Sequence, residues 1–133
     1  TALSNESTEA KVIIWGTGSP KREFLHVDDL ASACVHICSL PERLFIEHQI
    51  NHNKPLINLG TGEDITIGAL AQLVKEVVDF DGALVWDYSQ PDGTQRTMLD
   101  VSRANLLGWQ ASTPLRQGIE MVYHWYVQQI TGK

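Results

Sequence analysis

The sequence has little of what marks a secreted, membrane-bound or nucleic-acid-binding chain. Its 133 residues include two cysteines, Cys34 and Cys38, so no disulfide framework is expected. No apolar run approaches the ~20 residues of a membrane span. The opening TALSNESTEAK has neither the basic start nor the apolar stretch of a signal peptide. A cytoplasmic location is the simplest expectation. Sixteen Asp and Glu outnumber ten Lys and Arg, for a net charge of -6. That excludes a general nucleic-acid binder, which would carry a basic stripe. An anionic ligand would have to be gripped by a few local arginines.

Catalytic signatures are missing too. Four residues after Tyr88, Tyr123 and Tyr126 stand Asp92, Val127 and Ile130, so there is no Tyr-x-x-x-Lys acid/base pair. There is no Gly-x-Ser-x-Gly elbow and no Cys-x-x-Cys pair for a metal. Gly16/Gly18 and Gly60/Gly62 each begin a dinucleotide fingerprint but lack its third glycine: Lys21 and Ile65 stand there. Both read as tight turns. His48 and His52 are four apart in a polar stretch with no evident third ligand, so no metal site is expected.

What is present is enough apolar residue, 43%, to build the core of one domain. Residues 1–11 read as a polar arm and 12–133 as a single α/β domain. Lys11–Trp15 is a β-branched strand, and Glu23–Val27 a second extended piece. A helix should begin near Asp28, its carboxylate capping free N–H groups. Its expected inner face is Val27, Leu30, Ala31, Cys34, Val35 and Cys38, which makes both thiols buried ones. Pro41 ends it, and residues 42–55 form a long polar connection. Leu56–Leu59 reads as a strand. Thr66 caps a helix whose inner face is Ile67, Leu70, Ala71, Val74 and Val78. Ala83–Trp86 is a strand, 89–96 an exposed loop, and 97–101 extended. A short helix over 102–107 stops at Gly108. The last helix has Thr113 as cap and Pro114 at its first position. Strands alternating with about three main helices give the α/β class.

Three side chains attract chemical attention. His26 lies between a strand and a helix; it serves as an acid or base, or bonds backbone to fix the bend, and the second reading is preferred. Arg22 stands beside a Gly/Pro turn just after Trp15. Arg96 closes the Asp92–Gly93 loop. A guanidinium fork grips phosphate and an indole covers a sugar or base. Equally, Arg22 could pair with Glu23 or Asp28, and Arg96 with Asp92 or Asp100, in surface bridges of small value.

Residues 14–29, IWGTGSPKREFLHVDD, with INLGTGEDITI and SQPDGTQRTMLDVSRANLLGW, resemble the extended short-chain dehydrogenase/reductases, the sugar-nucleotide epimerases and reductases, in their GDP-sugar branch. The resemblance runs from Val12 to Gln128. It implies the C-terminal substrate-binding portion of such an enzyme, with Trp15, Arg22 and Arg96 at positions that contact a GDP-sugar. It also implies that the nucleotide-binding Rossmann half, the bound NADP(H), the catalytic Ser and Tyr-x-x-x-Lys, and the epimerising Cys and His would all precede residue 1. No catalytic residue, cofactor site or metal site is therefore assigned here, and the chain alone is expected to be inactive. Gln95 and Thr97 depart from the Pro and Lys usual in the family; the second removes a cation beside the diphosphate. Without the Rossmann half, helix 28–40 and the LINLG strand would show apolar faces and edges. A homo-oligomer, most simply a two-fold dimer, is the expected consequence. The alternative is an oligomeric interaction protein that has lost its ligand.

Overall fold

The computed structural model describes residues 10–52 and 56–132, with only the backbone for 48–52. The predicted arm over 1–9 lies outside them, as do the side chains of His48 and His52. Lys11 already belongs to a sheet, and just before it the Ala10 carbonyl accepts from the Ala83 N–H. Strand β1 (Lys11–Trp15) pairs in parallel with β4 (Ala83–Asp87), Val12 opposite Leu84 and Trp15 opposite Asp87. A second, smaller ribbon has β2 (Lys21–Arg22) at its centre. It is antiparallel to β3 (Ile65–Thr66) and parallel to β5 (Arg96–Thr97).

Helix α1 (Val27–Cys38) starts one residue earlier than expected, and its cap is His26, whose Nδ1 accepts from the Asp28 N–H at 3.2 Å. Asp28 sits in the first turn, where its charge still suits the helix dipole. The residues taken as a polar connection form a helix instead, α2 (Glu42–His52). Its residues lack a one-sided apolar stripe, so periodicity gave no signal. Glu, Arg, Leu and Gln nonetheless favour helix intrinsically. The Pro41 carbonyl accepts from the Leu44 and Phe45 N–H groups, so the proline that follows α1 also opens α2. Helix α3 (Ile67–Val77) is capped as expected, the Thr66 hydroxyl accepting from the Ala69 N–H at 3.1 Å. Helix α4 (Ser102–Leu106) ends before Gly108, which holds φ +87. Helix α5 (Leu115–Thr131) has Pro114 as its N-cap rather than its first helical residue, and Thr113 makes no side-chain cap. The Thr113 N–H is instead bound by Asp29.

Leu56–Leu59 enters no ladder among the described residues. Ile57 and Leu59 pack onto a small core formed by Ala33, Ala104 and Trp109, with Leu25 and Ala111 beside them. This core explains the most informative reversal in the fold. Helix α1 meets α4 and the segment after it with Asp29, Ser32, Ala33 and His36. Asp29, 4% exposed, accepts from the Ser112 hydroxyl and the Thr113 N–H, both at 2.9 Å. The Trp109 indole N–H donates to the Ser32 hydroxyl at 3.0 Å, and the His36 Nε2 meets the Leu107 carbonyl at 2.8 Å. The face expected to be buried is the opposite one, and it is bare: Val27 is 65% and Val35 67% exposed. Cys34 and Cys38 are exposed free thiols, which corrects the expectation of burial. The apolar periodicity is real, but among the described residues that stripe stays exposed.

Candidate functional site

Strand β1 delivers Trp15 to a turn in which Gly16 and Gly18 hold φ +78 and +74, values that favour glycine. Thr17 then folds onto the 89–95 loop. Its N–H and hydroxyl donate to the two oxygens of Asp92, at 2.8 and 2.7 Å. A Cβ on Gly16 would collide with that carboxylate, so glycine lets the two loops close. Arg22 reaches the same loop from β2. Its Nη2 lies 3.0 Å from where a Gly93 Cβ would stand, and its Nη1 donates to the Lys21 carbonyl at 2.7 Å. Arg22 therefore lies against the Asp92–Gly93 loop, and Trp15 ends the strand that leads into the turn packed on it.

Neither surface bridge considered for Arg22 forms. No carboxylate among the described residues lies within ion-pair distance of it. Glu23 points into the Gly60–Gly62 turn, where it accepts from the Gly62 N–H at 2.7 Å and the Thr61 hydroxyl at 3.3 Å. Its other oxygen accepts from the Leu99 N–H at 2.8 Å. The turn that looked like half a pyrophosphate cradle thus holds an anion supplied by the chain itself. A Cβ on Gly60 would strike the same carboxylate. Burial pushes the Glu23 carboxyl up, but the Leu99 and Gly62 N–H groups and Thr61 outweigh it, so it titrates below its ordinary value.

Arg96 is placed differently. In the ribbon Lys21 stands opposite Arg96, and Arg22 opposite Thr97. Successive strand residues face opposite sides, so Arg22 and Arg96 project from opposite faces. Arg96 bonds through Nε to Asp64 Oδ2, and Lys21 Nζ lies 3.7 Å from Asp64 Oδ1. Arg96 therefore pairs with neither Asp92 nor Asp100. Asp92 is engaged by Thr17, and Asp100 accepts from the Ser102 N–H. The hydrogen bond from Arg96, with burial opposing it and the charges of Arg96 and Lys21 assisting, holds Asp64 below its ordinary range. Asp64 was missed from sequence, and Asp92 was considered only as a partner of Arg96 and not of Thr17; carboxylates in loops give no periodic signal.

His26 has the structural role preferred for it. Its ring side chain is 7% exposed and packs against Gly118 of α5, where a Cβ would stand 3.2 Å from the ring. Since Nδ1 accepts from the Asp28 backbone, it is the unprotonated nitrogen.

Comparison with known proteins fits this geometry. Residues 1–52 match the NAD dependent epimerase/dehydratase family. Probable GDP-L-fucose synthase 1 of Oryza sativa subsp. japonica is 47% identical over 93% of this chain. GDP-L-fucose synthase 1 of Arabidopsis thaliana is 46% identical over 99% of it. The chain belongs to the NAD dependent epimerase/dehydratase family. It spans 35% and 40% of the lengths of those two relatives. Among solved members, a GDP-D-glycero-L-gluco-heptose synthase from Campylobacter jejuni, determined in the presence of NADPH, is 38% identical with a TM-score of 0.76. That match covers 88% of this chain and 33% of the other. The α/β class expected from the sequence is the class of these epimerase/dehydratase structures. No described helix is long and apolar enough to cross a membrane.

Proposed function

We propose that this chain is the nucleotide-sugar-binding portion of an enzyme like GDP-L-fucose synthase, and that it holds the GDP moiety through Trp15 and Arg22. One observation carries the reading: Arg22 stands beside the Gly93 loop with no carboxylate of the described residues on it, in a chain of net charge -6. A cation without an ion-pair partner among the described residues, while Glu23 and Asp92 are engaged elsewhere, is a suitable anchor for a diphosphate. The indole of Trp15, exposed at the end of β1 just before the Gly16 turn, offers a face for a base or sugar. Arg96 projects from the opposite face of the ribbon and is assigned as a separate grip, away from Arg22.

In a complete enzyme of this kind, base and acid groups invert carbons beside the substrate's keto group, and NADPH reduces the ketone. The present chain supplies none of the Ser, Tyr-x-x-x-Lys or cofactor-loop residues for those steps. Its contribution is orientation of the ligand, which lowers a barrier by fixing reacting groups. The chain by itself turns over no substrate. Its bare α1 face supports self-association as a homo-oligomer. The same bare face favours a second reading, an oligomeric interaction protein without ligand affinity.

Titration calorimetry with GDP separates the two. The binding reading expects weak association, on the order of 0.1–1 mM. Arg22→Ala should lower it about tenfold or more, the effect of deleting one charge-assisted grip. Silence at millimolar GDP favours the interaction protein. NADPH oxidation with the keto-sugar by this chain alone would refute its assigned inactivity.

A further inference from the structure

We propose that Asp64 is a positioning residue for the ligand site: it fixes the inner edge of the Arg96 guanidinium so that the outer edge is presented to an anionic ligand. The inference rests on the reading of the chain as a nucleotide-sugar binder. Asp64 directly precedes β3, and β3 pairs with β2, so the ribbon carries its carboxylate next to the Lys21/Arg96 pair. Its side chain is 8% exposed, whereas that of Arg96 is 59% exposed. The carboxylate is thus the fixed partner and the guanidinium the outward one.

The atoms engaged matter. Asp64 uses Oδ2 on Arg96 Nε and turns Oδ1 toward Lys21. It does not take the outer fork formed by Nη1 and Nη2. Among the described residues Nη2 approaches only the Met98 thioether, at 3.5 Å, and a thioether is a weak acceptor. A phosphate can therefore approach the outer fork without displacing Asp64. Two cations share one carboxylate, which leaves this patch positive within an acidic chain. Holding Arg96 in advance removes the rotamer freedom that a loose arginine would lose on binding.

The test uses the whole chain, with GDP as probe, and two measurements. Side-chain NMR of the arginine Nε–H groups reads the contact without ligand. The Arg96 resonance should be protected from exchange in the wild type and lose that protection in Asp64→Ala. Calorimetry should then show GDP binding weakened about 2–10-fold in Asp64→Ala, the cost of ordering one rotamer-rich side chain on binding. Asp64→Asn keeps an acceptor for Nε and should restore most of the affinity; it also serves if the alanine variant fails to fold. The double variant Asp64→Ala/Arg96→Ala should bind no more weakly than Arg96→Ala alone. Unchanged or tighter binding in Asp64→Ala, with Arg96→Ala weakened, overturns the positioning role and leaves the binding function standing. So does an Arg96→Ala variant that binds normally while Arg22→Ala does not. A wild type that binds no GDP removes the functional reading and this inference together.

Discussion

Replacing Glu23 by Gln should loosen three segments at once. The carboxylate joins the end of β2 to the Gly60–Gly62 turn and to Leu99, through contacts of 2.7, 2.8 and 3.3 Å. The donors lie on both oxygens: Gly62 and Thr61 on Oε1, Leu99 on Oε2. A glutamine amide can present oxygen to one side only. Its NH2 would then face a backbone N–H, so one strong bond is lost and a donor meets a donor. Hydrogen bonds to a charged group contribute about 1.5–3 kcal/mol each. Glu23 is half-buried, so water recovers part of the loss, and about 2 kcal/mol is the expected destabilisation. For a chain of this size that is a fall of roughly 6–8 °C in Tm, readable by circular dichroism. Acid supplies the second arm. The folded carboxyl titrates below its ordinary value. Its stabilisation is therefore full above the unfolded value of about 4.3 and is lost as pH falls through the lower folded value. The gap between wild type and Glu23→Gln should close over that range. A gap under about 0.5 kcal/mol at neutral pH, within the usual scatter of surface substitutions, or one that persists in acid, refutes the argument.

Two further outcomes are expected. Asp29→Ala leaves the Thr113 N–H without its acceptor at the start of α5 and should lower stability by about 2–3 kcal/mol, as for other buried charge-assisted bonds, measured by urea unfolding. Val35→Glu places a charge on the bare α1 stripe. Covering a valine or leucine fully contributes about 1.5–3 kcal/mol, so light scattering should show wild-type oligomers at micromolar concentration and a shift toward monomer in the variant. A wild-type monomer would count against self-association through this face.

Much of the architecture was legible in the chain itself. Where a cap coincided with a period, as at Thr66 and α3, the helix lies where expected. Glycines marked the turns at Gly16, Gly62 and Gly108, where the backbone takes the positive φ that glycine adopts freely. Helix α2 escaped notice because it has propensity without a one-sided apolar stripe. The Leu56–Leu59 run has strand composition but no ladder partner among the described residues, and a strand requires one. At the candidate site, the types Trp15, Arg22 and Arg96 were visible. The partner of Arg96 was not, since Asp64 comes from a distant loop joined to it only by folding.

Composition and periodicity determined by themselves that this is an α/β chain, that α1 has an apolar stripe, and that two arginines stand beside glycine turns. Tertiary structure decided which face of α1 is buried, that the Gly60–Gly62 turn is filled by Glu23, and that Arg22 has no carboxylate partner among the described residues while Arg96 is held by Asp64. The division has a physical cause. Helical period and turn chemistry are local properties of the chain, whereas burial and ion pairing depend on what the fold places opposite each side chain.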